Sequence, residues 1–302
     1  MSDTVSLCGL GNMGGAVAGR LAAHGPLRVF DLDPDRVAQA AEHPQVTAAA
    51  SVAELAEADV VLLSLPAPKI SLQVIAELAP RMRAGGVIVE TSTVNPADMA
   101  EEQEICAEHG IGVVDAAILS GVSQMAGGTA TLLVGGAESD VDKVADVLAA
   151  ISAGVTRFGP VGSGMAAKVI NNAVAHAVMV VLAEAGALAA ATGVSGSALA
   201  ALLSGPEAGL TRPLTHRFAE RVLHGDYDGG MPTEAARKDS TLALAMAQDS
   251  GVPLFGIQGA HTVYELGVAE GLGRLDYASI ATLWERWTGR PMTGTGSEVS
   301  DG

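Results

Sequence analysis

The sequence predicts an α/β protein, with a doubly wound parallel sheet in its first half and an all-helical second half. Three observations carry this prediction. Short apolar runs alternate with helical stretches through the first half, the pattern of βα units feeding a parallel sheet. A glycine turn, Gly9-Leu10-Gly11-Asn12-Met13-Gly14, joins the first such run to the first helical stretch. From Gly162 onward no convincing strand appears, and apolar residues recur at helical spacing. The expected organisation is a dinucleotide-binding domain over 1–161 and an all-α substrate and dimerisation domain over 162–288. A tail rich in Gly, Ser and Thr follows over 289–302 and is expected to be disordered.

Each element can be justified in chain order. Val5-Ser6-Leu7-Cys8 reads as a buried strand, and 16–24 reads as a helix that Gly25 would close. Between them, Gly9 would allow a tight turn, Gly11 a close approach of backbone to pyrophosphate, and Gly14 tight packing of helix on strand. The phosphates would then meet free N–H groups at the positive end of the helix, and Leu10, Asn12 and Met13 of the turn are counted with the glycines as cofactor-binding. This strand, turn and helix setting is what gives the glycine spacing its Rossmann-type meaning. Leu27-Arg28-Val29-Phe30 reads as the second strand and ends at Asp31, 22 residues after Gly9. A carboxylate there accepts from ribose hydroxyls and repels a 2′-phosphate, so NAD is expected ahead of NADP, although Arg36 lies close by. Further strands are expected at 60–66, 86–90, 111–115 and 130–135. Ligands bind beyond the carboxyl ends of such strands, which places Leu65, Pro66, Ser92 and Thr93 near the cofactor.

The second half reads as helices over 162–192, 195–203, 210–223, 230–250, 253–271 and 275–287. On the first of these, Lys168 and Asn172 are four residues apart and share a face, with His176 one turn further along. The surrounding Met165, Val169, Ile170, Ala173 and Val174 suggest that the helix is buried, and a buried lysine must be paired or functional. His176 reads more readily as a packed core histidine than as a substrate contact. A lysine beside an amide, downstream of a complete nucleotide-binding domain, points to hydride transfer at a hydroxyl or carbonyl carbon.

Bulk properties narrow the classes. The 302 residues suffice for two domains, and 49% apolar with 17% charged residues describes a chain with a large interior. Aromatics make up only 3%, so that interior must be aliphatic. A net charge of −17 without basic runs argues against a nucleic-acid partner. Cys8 and Cys106 offer neither a disulfide framework nor metal-ligand spacing, and no metal motif is found elsewhere. The start of the chain lacks the features of a signal peptide, so a cytoplasmic location is expected. Ala173 to Val194 is long and apolar enough to imitate a membrane span, but Glu184 and an alanine-rich composition favour the central helix of a soluble protein.

Over roughly residues 4–288 the chain resembles the β-hydroxyacid dehydrogenases, the group of 3-hydroxyisobutyrate dehydrogenase and tartronate semialdehyde reductase. Gly9 to Gly14 is similar to the family's G-L-G-x-M-G start, and Asp115-Ala116 through Gly136 to its D-A-P-V-S-G-G…G-T…V-G-G substrate segment. Gly162 to Asn172 matches G-x-G-x-x-x-K-x-x-N-N, and Lys238-Asp239 the late K-D segment. The resemblance implies a small-molecule substrate and Lys168 as general acid/base. It further implies that Asn172 holds the reacting oxygen or a neighbouring group, that Thr93 lies beside the nicotinamide ribose, and that Lys238 reaches the cofactor. Family members are commonly dimers or tetramers, and the apolar surface of the helical half also suggests a homo-oligomer.

The departures bear on substrate choice. Leu119 and Ser120 stand where the family has the serine and first glycine that grip a carboxylate, ahead of Gly121, and Gln124-Met125 replaces the following G-A. Met231 stands where the family usually has an aromatic residue. A bulkier or less anionic substrate is therefore expected, with Ser120, Gln124 and His176 as replacement contacts beside Leu119 and Gly121. Imine and ketone reductases of this architecture are a second enzymatic reading, which Lys168 and Asp31 oppose and the altered loop favours. A nucleotide-sensing scaffold without catalysis is a third, opposed by the joint retention of Lys168, Asn172 and Lys238.

Overall fold

The computed structural model describes residues 4–293. Eight strands form one sheet: β1 (Val5–Cys8), β2 (Leu27–Phe30), β3 (Val46–Ala48), β4 (Val60–Leu63), β5 (Val87–Glu90), β6 (Gly112–Ile118), β7 (Thr131–Gly136) and β8 (Gly154–Gly159). Their order is β3-β2-β1-β4-β5-β6-β7-β8, parallel throughout except for the antiparallel pair β6 and β7. The connecting helices are α1 (Asn12–Ala22), α2 (Pro34–Ala40), α3 (Val52–Leu55), α4 (Pro68–Leu78), α5 (Pro96–Ala107), α6 (Val122–Ala126), α7 (Glu138–Lys143) and α8 (Ala145–Ile151). Strands β1, β4 and β5 are buried along their whole length, as strands with helices on both faces must be. One aliphatic cluster lies on each face, built around Leu7, Leu21 and Leu132 on one and Leu63, Ile75 and Ile88 on the other.

Two strands escaped the sequence reading, and both are at sheet edges. β3 is three residues long and largely exposed, and β8 is half exposed, so neither presents a continuous apolar run. Gly25 does not cap α1: the helix ends at Ala23 in ordinary right-handed geometry, and Gly25 keeps a negative φ. Cys8 and Cys106 are both buried free thiols, pushed up to about 12 first of all by that burial.

The remaining helices are α9 (Ser163–Ala191), α10 (Gly196–Leu203), α11 (Thr233–Asp249), α12 (Gly256–Ala269) and α13 (Ala281–Thr288), with a π-helical turn over Pro213–Ala219. They lie close to the expected segments. The chain divides into two compact units within α9, between Asn172 and Ala173. In the second unit Glu184 on α9 accepts the N–H groups of Phe255, Gly256 and Ile257 at 2.5, 2.8 and 3.0 Å, closing the N-terminus of α12. Burial alone would raise the Glu184 pKa, but these three donors hold it below its ordinary value. The carboxylate that argued against a membrane span thus has a structural partner.

One expectation fails. The middle of α9 is not buried within the chain: Ile170 is 64% exposed, Val174 58% and Met179 62%, and His176 is exposed with them, not packed in a core. Among the described residues α9 is also the one helix long and apolar enough to cross a membrane. Of the tail, residues 294–302 lie outside the described residues.

Candidate active site

The sheet reverses its winding at β1, which has β2 on one side and β4 on the other. Ligands bind at such switch points, beyond the strand carboxyl ends. There a cleft of about 510 Å³ is lined by Gly9, Gly11, Asn12, Met13, Gly14, Asp31, Leu65 and Pro66, eight of the residues expected to hold a cofactor. Gly9 has φ +98°, which L side chains rarely adopt, and a Cβ on Gly14 would collide with the Gly9 carbonyl oxygen. The N-terminus of α1 has no side-chain cap and no acidic residue in its first turn, so its free N–H groups face the cleft as a ready anion site. Leu10 differs from the other turn residues. Its N–H donates to Asp31 Oδ2 at 2.6 Å, and its side chain is buried. Asp31 Oδ1 accepts from Asp33 N at 2.8 Å, so the carboxylate is fixed at the end of β2 with lone pairs left for a ribose diol. These residues fit a dinucleotide. Sequence reasoning missed Ile70, Gln73, Val74 and Glu77, which complete the wall from α4. The signal was available, because helices that follow strand ends at a switch point face the crevice.

A second group gathers where β5 and β6 end. Asp115, fully buried within β6, accepts from Gly162 N at 2.7 Å and from Met165 N at 2.8 Å. It thereby grips the first turn of α9, three residues ahead of Lys168. Gly135 and Gly164 leave the room for this grip, since a Cβ on either would collide with the Asp115 carboxylate. Burial pushes the Asp115 pKa up, and the N–H groups of Gly162 and Met165 oppose that shift. Lys168 is half-buried, and its partial desolvation lowers its pKa, which favours the neutral form needed by a base. Asn172 follows one turn later, also half-buried. Gly162 packs against the first residues of α5, so α9 starts beside the loop that carries exposed Thr93. Neither Thr93 nor Lys168 lines the 510 Å³ cleft.

The loop over 119–121 lies at the carboxyl end of β6. Leu119 is 38% exposed, Ser120 Oγ accepts from Thr131 N at 3.2 Å, and Gly121 precedes α6. Lys238 lies in the second unit on α11, exposed and 3.0 Å from Asp239 Oδ1.

A Rossmann-type sheet, an uncapped glycine turn at its switch point and a desolvated lysine define a dinucleotide-dependent oxidoreductase. Comparison with known proteins specifies the family. Residues 4–159 match the family described as the NAD binding domain of 6-phosphogluconate dehydrogenase, and residues 162–284 the family described as NAD-binding of NADP-dependent 3-hydroxyisobutyrate dehydrogenase. The chain is 32% identical to 2-(hydroxymethyl)glutarate dehydrogenase of Eubacterium barkeri, over 97% of this chain and 98% of that protein. Among solved structures, Mycobacterium tuberculosis 3-hydroxyisobutyrate dehydrogenase with L-serine is 28% identical, with a TM-score of 0.66 over 94% of this chain and 99% of that one. The imine reductase from Myxococcus stipitatus (V8 variant with NAD⁺) superposes at a TM-score of 0.84 over 94% of this chain and 100% of that one, but at 20% identity it shares the fold alone. The chain belongs to the β-hydroxyacid dehydrogenase family and is an NAD(P)-dependent oxidoreductase acting on CH–OH groups.

Proposed function

We propose that the protein interconverts a 3-hydroxy acid, or a related β-hydroxy compound, and its carbonyl form, with Lys168 as general acid/base. The observation that carries this reading is the placement of Lys168 and Asn172 on the second and third turns of α9, directly after the first turn that Asp115 anchors. The bound nicotinamide supplies or accepts the hydride. In reduction the Lys168 ammonium protonates the oxygen as negative charge develops on it. In oxidation the neutral amine, favoured by desolvation, removes the hydroxyl proton. Asn172, on the same face, holds that oxygen or its neighbour. Gly9, Gly11, Asn12, Met13 and Gly14 cradle the pyrophosphate, and Asp31 accepts from the adenosine ribose. NAD is preferred because a 2′-phosphate would face both Asp31 and Asp33, while Arg36 already lies 3.9 Å from the first and 3.3 Å from the second.

The exposed Leu119 at the carboxylate-gripping position supports a bulkier substrate than a standard small 3-hydroxy acid. The larger dicarboxylate in the name of the Eubacterium relative is in keeping with this. The same loop is what favours the alternative of imine or ketone reduction. Initial rates of NAD⁺ and NADP⁺ reduction with 3-hydroxyisobutyrate, L-serine, 2-(hydroxymethyl)glutarate and neutral β-hydroxy compounds decide. Turnover of any hydroxy substrate supports the proposal, whereas silence with all of them and activity on imines sinks it. The exposed apolar residues of α9 further support a homo-oligomer, dimer or tetramer, in which a second copy covers them.

A further inference from the structure

The interior of the first unit holds three fully buried carboxyl groups, Glu90, Glu102 and Asp115. Asp115 anchors α9; the other two have no part in the mechanism above. Glu90 ends β5, where it is the register partner of Leu63 on β4 and of Asp115 on β6. Its Oε1 accepts from Ser92 N at 2.6 Å, and Ser92 Oγ in turn accepts from Leu65 N at 2.7 Å. Leu65 belongs to the cleft wall, together with Ser64 and Pro66. A buried carboxyl is thus linked, through one serine, to the turn that shapes the cofactor cleft.

We propose that Glu90 is a positioning residue for the dinucleotide, holding the Ser64–Pro66 wall through Ser92, and that gain or loss of its proton tunes how firmly the wall is held. The groups around it supply no compensating cation. Ser71 faces it from α4 without a strict hydrogen bond, Cys8 lies on the β1 side, Asp115 is beside it on β6, and Glu102 acts from α5. Neither Glu102 oxygen nor Glu90 Oε2 has a protein hydrogen-bond partner. Burial pushes Glu90 up to about 7 against the pull of its Ser92 and Ser71 neighbours. Burial, then the charges of Glu90, Asp98, Asp115 and Glu101, push Glu102 up to about 9. Burial thus favours the neutral form of both carboxyls and displaces their ionisation toward neutral pH. Ionised Glu90 makes the bond from Ser92 N–H charge-assisted and stronger, so the wall tightens as pH rises.

This inference rests on the assignment of the cleft to the dinucleotide. The test is NADH binding by fluorescence titration between pH 6 and pH 8.5, with wild type, Glu90→Gln and Ser92→Ala. Wild type is expected to bind about threefold more tightly at the upper pH. Glu90→Gln keeps an acceptor for Ser92 N–H but cannot ionise, so its affinity should be flat across the range. Ser92→Ala leaves Leu65 N–H without its acceptor and should weaken binding about tenfold. A wild-type pH profile in Glu90→Gln, or wild-type affinity in Ser92→Ala, overturns the proposal. If Glu90→Gln is not recovered folded, the pH profile of Ser92→Ala decides: cutting the link to Leu65 should flatten it, and a wild-type profile there overturns the proposal. Wild type that binds neither NADH nor NADPH refutes the cleft assignment instead, a result distinct from either.

Discussion

The sheet unit and the helical unit are both rich in aliphatic residues but dispose of them differently. Along β1, β4 and β5 every residue is buried. Along the middle of α9, Ile170, Val174, Met179 and Val180 are between 49% and 64% exposed. A parallel sheet closes its own core, because each crossover returns a helix to the sheet face. A long helix that is apolar on all sides is covered along only part of its length here, at Met165, Glu184, Leu188 and Ala189. The first unit therefore lines its cleft with its own residues, whereas these apolar side chains of α9 are left exposed.

The largest test of this contrast is Lys168→Ala. Turnover is expected to fall by about 10²- to 10⁴-fold, the usual worth of a positioned acid/base, while NADH binding changes little because Lys168 does not line the cleft. Loss of turnover and of binding together would mean that the two sites are not separable in this way.

Next in size is Met179→Glu on the exposed stretch of α9. A charge in an apolar interface is expected to shift light scattering from oligomer to monomer at micromolar protein, with NADH binding by the sheet unit retained. A wild-type protein that is already monomeric refutes the idea that a second copy covers α9.

Asp31→Ser probes the sheet unit alone. Removing the carboxylate should shift the ratio of the kcat/KM values for NAD and NADP about tenfold toward NADP. Because Asp31 also holds Leu10 N and Asp33 N, affinity for both cofactors should fall somewhat.

The smallest effect concerns stability. The pKa of Glu102, raised from 4.5 to about 9, means that the folded state keeps a proton that the unfolded chain loses above pH 4.5. Stability therefore falls as pH rises between those values. Glu102→Gln removes this loss, so its melting temperature should exceed that of wild type by a few degrees at pH 8 and by less at pH 5. An equal or lower Tm at pH 8 would show that Glu102 is stabilised by something its surroundings do not reveal.

Much of the site was legible in the chain because its signals are local. Gly9 must turn with positive φ, Gly14 must admit a carbonyl, and Asp31 must end the second strand; each is a statement about a few neighbouring residues. The helices of the second half were legible for the same reason, since apolar spacing reports period directly. The edge strands β3 and β8 were not, because an edge strand lacks the apolar run by which a central strand announces itself. The burial of α9 was misread: apolar composition says that a helix seeks cover, not that its own chain provides it.

The sequence by itself determined the family, the dinucleotide turn, the carboxylate after β2 and the lysine with its asparagine, because these depend on residue type and short spacing. Only the tertiary structure decided that Asp115 grips the helix bearing Lys168, from 50 positions before Met165. Only it linked Glu90 through Ser92 to Leu65, from 27 positions before Ser92. Such contacts arise when strands pair in register and bring distant residues within hydrogen-bond reach, and no local pattern in the chain encodes which buried carboxyl will meet which backbone N–H.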